Sequence, residues 1–191
     1  MTEPGSMDRR ASAAPVRLVA LTGFMGSGKT TVGRELSKLL GWDFTDLDEL
    51  IEMQERATIA ELFDQRGEAE FREIERATLA EFLAECARPT VLALGGGTFV
   101  HAKNAEMLGR SWIRTVFLEV DVEVLLQRCS AESGEAAVNA RPMAVDRTRF
   151  QQLHEHRLPQ YRQADLTVRA DGTPADEVAT VIAAALNLHR D

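Results

Sequence analysis

The chain has 191 residues, 45% of them apolar and 27% charged, and a formal net charge of −8. That length gives room for one domain with a real core. The acidic balance, with no long run of Lys or Arg, excludes a basic face for nucleic acid or an anionic membrane as the main docking surface. No apolar stretch approaches the roughly 18 residues that a membrane span needs.

In chain order, residues 1–15, "MTEPGSMDRRASAAP", are small, polar and Pro-containing, and read as a disordered leader rather than a targeting peptide. Apolar runs then alternate with helical patterns. Strands are expected at Val16–Thr22, Asp43–Thr45, Thr90–Leu94, Ile113–Val120 and Leu166–Arg169. Their continuous apolar character suits strands covered on both faces. "TIAE" at 58–61 has the form of a capping box and starts a short helix. A further helix begins near Gly67 with Phe71, Ile74, Thr78 and Phe82 on one stripe. "TPADEVATVIAAALNLH" supplies the closing helix. This alternation predicts an α/β fold with a mostly parallel sheet. Residues 130–146, "SAESGEAAVNARPMAVD", lack apolar periodicity, and a loop of that length in a compact domain usually has a function or is disordered. Cys86 and Cys129 stand far apart in no metal-like spacing, as expected of reduced thiols in a cytoplasmic protein.

"GFMGSGKT" at 23–30 fits the phosphate-loop pattern in full, with an apolar strand before it and an amphipathic helix after. Glycines let the backbone wrap so that successive N–H groups face phosphate oxygens, and the helix that follows adds its positive end. Lys29 then reaches the β/γ-phosphates, and the Thr30 hydroxyl is placed to ligate Mg²⁺. The switch and base-reading motifs of a GTPase are missing. "TVFLEVD" at 115–121 offers Glu119 or Asp121 as a Walker-type acid, but Asp121 reads better as the cap of the helix "VEVLLQR".

Asp46 and Asp48 in "FTDLDELIE" follow the second strand, where an α/β sheet borders its ligand crevice. One can hold Mg²⁺ and the other accept a proton from an attacking hydroxyl. As a plainer alternative, both simply cap the helix. "LALGGGT" ends a strand in Gly95, Gly96 and Gly97, whose N–H groups can approach a substrate closely. Arg72 follows Phe71 on a helix that flanks the same pocket.

Together with "TIAELFDQRGEAEFREIE", "RP" at 141–142 and "HRLPQYRQA" at 156–164, these stretches resemble the shikimate kinases, in that family's order and from Val16 to the final helix. The resemblance implies a three-layer P-loop kinase fold: a five-stranded parallel sheet flanked by helices, a mobile lid at about 130–146, and a substrate-binding helical region at about 47–75, all in one domain spanning 16–191. It implies transfer of the γ-phosphoryl of ATP to the 3-hydroxyl of shikimate, with Mg²⁺, in a cytoplasmic monomer of the aromatic biosynthetic pathway. Gly26, Ser27, Gly28, Lys29, Thr30, Thr31, Arg128 and Arg141 would then bind ATP. Asp48, Arg72, Gly95, Gly96, Gly97 and Arg157 would bind shikimate, Thr30 and Asp46 the metal. Catalysis would fall to Asp48 as base, Lys29 and Arg141.

Two departures bear on the lid. It is longer than usual, with Arg141 thirteen positions beyond Arg128, and "RPMAVD" replaces the commoner "RPLL". Arg147 and Arg149 read as surface charges, and His101, His154, His156 and His189 as surface residues. Two other functions fit part of the pattern: a kinase of another hydroxy acid such as gluconate, and a non-catalytic ligand-binding module.

Overall fold

Five strands form: β1 (Leu18–Thr22), β2 (Asp43–Asp46), β3 (Thr90–Ala93), β4 (Ile113–Glu119) and β5 (Leu166–Arg169). The computed structural model, which describes residues 15–132 and 146–190, pairs them all in parallel in the order β2-β3-β1-β4-β5. Each predicted strand is present. The central strands β1 and β3 are buried along their whole length, whereas β2 and β5 are only partly covered. Edge position explains this departure from the expected two-sided burial. The residues expected as a disordered leader, apart from Pro15, lie outside the described residues.

Helices fill the connections, as parallel strands require. They are α1 (Lys29–Leu40), α2 (Leu47–Glu55), α3 (Ile59–Glu85), α4 (Ala102–Leu108), α5 (Val122–Glu132), α6 (Arg147–Tyr161) and α7 (Ala175–Ala185). Val32, Leu36 and Leu40 form the buried face of α1, and Val178, Ala179 and Ile182 that of α7, which packs against it. The expected lid is shortened at both ends. Ser130 and Ala131 still belong to α5, Asp146 is the N-cap of α6, and residues 133–145, including Arg141, lie outside the described residues. Among the described residues no helix is long and apolar enough to cross a membrane.

The capping box forms as predicted: the Glu61 N–H donates to Thr58 Oγ1 at 3.2 Å and the Thr58 N–H to Glu61 Oε2 at 2.8 Å. The helix it starts runs on into the next one through a break at Gly67, where φ is 76° and ψ 169°. Only glycine adopts that backbone at low cost. Gly67→Ala is therefore expected to destabilise the fold by about 1–3 kcal/mol, seen as a lower unfolding midpoint; an unchanged midpoint would mean that the two helical segments merge without strain. Beyond the break, the buried face is Phe71, Glu75, Thr78, Leu79 and Leu83, while Ile74 and Phe82 are only partly covered. The apolar stripe is thus rotated from the expected one, and it carries a carboxylate.

Candidate active site

Because all five strands are parallel, the loops after β1, β2 and β3 meet at one end of the sheet, beside the point where the strand order reverses. One cleft there is lined by every predicted site residue among those described: Gly26, Ser27, Gly28, Lys29, Thr30, Thr31, Asp46, Asp48, Arg72, Gly95, Gly96, Gly97, Arg128 and Arg157.

On one side lies the phosphate loop. Gly26 and Gly28 have φ of 77° and 89°, left-handed values that let the loop curl into the start of α1. The first turn of α1 holds no acidic residue, so its positive end is not neutralised by its own sequence. Lys29 Nζ donates to the carbonyls of Gly23 at 2.9 Å and Phe24 at 3.0 Å, bridging the loop. Arg128 Nη1 donates to the Gly26 carbonyl at 3.1 Å from α5, which fixes this arginine beside the loop.

Between the two sides stand the carboxylates. Asp46 does two things at once. It caps α2 by accepting from the Asp48 N–H at 3.0 Å, and its other oxygen accepts from the Thr30 hydroxyl at 2.7 Å. Capping, one of the two readings of the sequence, is thus seen at Asp46, and the same carboxylate also reaches the first turn of α1. Asp48 sits in the first turn of α2. Its carboxyl is pushed up from 3.8 to about 6, first by burial and then by the Asp46 charge; Lys29 pulls it down, while Glu75 and Glu52 add to the rise.

The far side is built around Arg72 and Arg157. Arg72 is only 16% exposed, pairs with Glu75 at 3.1 Å and Glu68 at 3.3 Å, and lies over the rings of Phe63 and Phe71. Its buried Nε meets no hydrogen-bond partner among the described residues. The glycine loop passes close by. A β-carbon at Gly97 would lie 2.8 Å from both terminal nitrogens of Arg72, and one at Gly95 would lie 2.6 Å from Asp48 Oδ1. Arg157 Nη1 donates to the Gly96 carbonyl at 3.1 Å.

Sequence reasoning missed Glu75, which is 1% exposed, accepts from the Thr98 hydroxyl at 2.7 Å and steadies Arg72. Its place on the buried face with Phe71 and Leu79 shows only in the structure. Phe63 and Glu52 also line the cleft, and the Glu52 carboxylate accepts the Ile59 N–H at 2.9 Å, tying α2 to the start of α3. Asp121 caps α5 as expected, accepting the Glu123 N–H at 2.9 Å. Arg147 pairs with Glu123 at the surface, but exposed Arg149 and His156 border the cleft. His154, expected at the surface, is half-buried edge-on to Phe24, and burial holds its ring below the usual histidine range.

A phosphate loop facing two carboxylates, with arginine forks beyond them, defines a P-loop phosphotransferase acting on a small anionic acceptor. A family model described as shikimate kinase matches residues 25–187. A shikimate kinase of Brucella canis is 36% identical over 171 residues, covering 89% of this chain and 80% of its own. That of Caulobacter vibrioides is 37% identical over 164 residues, covering 84% and 78%. Among solved structures, shikimate kinase from Acinetobacter baumannii in complex with shikimate superposes with a TM-score of 0.79 at 35% identity, over 90% of this chain and 94% of the other. The chain belongs to the shikimate kinase family.

Proposed function

We propose that the protein transfers the γ-phosphoryl group of ATP to the 3-hydroxyl of shikimate. The observation that carries this reading is the two-sided cleft: a phosphate loop on one wall, two arginines and a glycine loop on the other, and Asp48 between them. The family membership and the relative that binds shikimate support the choice of acceptor.

In this reading the P-loop N–H groups, Lys29 and Arg128 hold the donor, and Arg141 adds a positive charge at the phosphates. Guanidinium forks of Arg72 and Arg157 grip the acceptor's carboxylate, a bidentate task that lysine cannot perform. The backbone of Gly95, Gly96 and Gly97 lets the acceptor's ring come close. That leaves a hydroxyl facing Asp48, whose raised affinity for a proton suits a base that receives one as the hydroxyl attacks. Phosphoryl transfer needs positioning and charge neutralisation more than covalent help.

The Thr30 hydroxyl and the Asp46 carboxylate, 2.7 Å apart, are hard oxygen donors of the kind Mg²⁺ takes. Those two residues would hold the ion, which when bound neutralises phosphate charge. All of these side chains come from one chain, so the reading requires no second subunit.

A coupled ADP-release assay across shikimate, quinate and gluconate tests the acceptor. Turnover is expected with shikimate; turnover with gluconate and none with shikimate would overturn it. Nucleotide binding with no turnover on any acceptor would favour the binding-module alternative.

A further inference from the structure

Tyr161 closes α6 and is 0% exposed, its ring stacked on Phe117 with centroids 5.2 Å apart. It does not line the cleft. Its hydroxyl nevertheless donates to the carbonyl of Gly96, in the middle of the glycine loop. Arg157, four residues earlier and so on the same face of α6, donates to that same oxygen through Nη1 at 3.1 Å.

The two donors differ in freedom. Tyr161 is locked by packing, and burial pushes its phenol up to about 12, so that it stays a donor across the working pH range. Arg157 is only partly buried and lines the cleft. A bidentate grip on a carboxylate draws on the same guanidinium fork that holds Gly96. Gly96 is also where the acceptor loop meets the phosphate loop: a β-carbon there would lie 3.5 Å from the Met25 nitrogen.

We propose that Tyr161 is a positioning residue for the acceptor: its hydroxyl keeps the Gly96 carbonyl bonded, so that Arg157 can turn to the acceptor's carboxylate without stranding that oxygen. The proposal rests on the reading of Arg157 as a carboxylate ligand. Without the hydroxyl, Gly96 and the acceptor compete for one fork. Acceptor binding then gives up about one net hydrogen bond, a change of roughly two- to tenfold.

The test is steady-state kinetics and thermal unfolding of the full chain as Tyr161→Phe, Arg157→Ala, the double variant and Phe117→Leu. Tyr161→Phe should raise the KM for shikimate about two- to tenfold, with kcat and the KM for ATP little changed. In the Arg157→Ala background it should add almost nothing, because the Gly96 carbonyl then lacks the fork in the free and bound states alike. Phe117→Leu loosens the ring packing but keeps the hydroxyl, and should leave the KM for shikimate in place even if the unfolding midpoint falls. An unchanged KM in Tyr161→Phe, a full multiplicative effect in the double variant, or an equal rise in Phe117→Leu would each reduce Tyr161 to a packing residue and overturn the proposal. If Arg157→Ala by itself leaves the KM for shikimate unmoved, the reading of Arg157 fails and the proposal falls with it; that outcome is visible in the single variant.

Discussion

Asp48→Asn is expected to lower shikimate phosphorylation by about 10²–10⁴-fold, the range that a positioned general base supplies, while ATP still binds. An amide keeps the size of the carboxylate and can still hydrogen-bond the acceptor, but it cannot take the hydroxyl proton. The P-loop contacts of Lys29 and Arg128 do not run through Asp48, so donor binding should survive. Turnover measured beside a nucleotide titration checks this. A variant keeping most of its turnover would show Asp48 to be neither base nor essential acceptor ligand.

The same substitution should stabilise the metal- and ligand-free protein at neutral pH. Burial, then the charge of Asp46, raises the Asp48 carboxyl from 3.8 to about 6, against the pull of Lys29 and with help from Glu75 and Glu52. Folding thus favours the protonated carboxyl. Its contribution is complete below the unfolded value and is lost as pH rises through about 6. At neutral pH the folded parent carries a charge that its surroundings resist, whereas Asn carries none at any pH. A rise of this size corresponds to at most about 3 kcal/mol. The gain from Asn should therefore be smallest below about pH 4 and reach its plateau above about pH 7. Thermal unfolding in a chelator across that range reads it, and a gain that does not grow with pH would sink the burial argument. The result would place Asp48 among residues kept for activity at a cost in stability.

What could be read from the sequence follows from how local each feature is. The P-loop is legible because its chemistry lies in consecutive backbone groups, and the left-handed Gly28 stands in the pattern itself. Asp46 and Asp48 are legible because they follow the carboxyl end of a strand, the end of a parallel sheet that borders the crevice. The break at Gly67 showed as a helix start, although the chain joins both helices into α3. Glu75 was not legible. Its burial depends on Arg72 beside it and on Thr98, 23 residues away, and nothing in its own surroundings announces that pairing. The Tyr161–Gly96 bond spans 65 residues and exists only once α6 lies under the glycine loop. The sheet order, too, decides which strands are edges, and so why β2 and β5 are less buried than β1 and β3.

Arg72→Lys is expected to weaken shikimate binding by about 1.5–3 kcal/mol, the scale of a hydrogen bond to a charged group, or about 10–150-fold. Lysine is the informative replacement. Removing the cation altogether would leave Glu75 buried beside Thr98 with no counter-charge, and stranding a buried charge is strongly destabilising. Any loss of affinity would then be entangled with damage to α3. A lysine keeps a positive charge near Glu75 and gives up the planar fork, together with the Nε that meets no partner among the described residues. Its flexible ammonium also gains less from Phe63 and Phe71, whose faces now underlie the guanidinium. The KM for shikimate should rise with the KM for ATP and the unfolding midpoint little changed. An unaltered affinity for shikimate would mean that Arg72 serves only to neutralise Glu75, leaving Arg157 as the carboxylate's partner in the cleft.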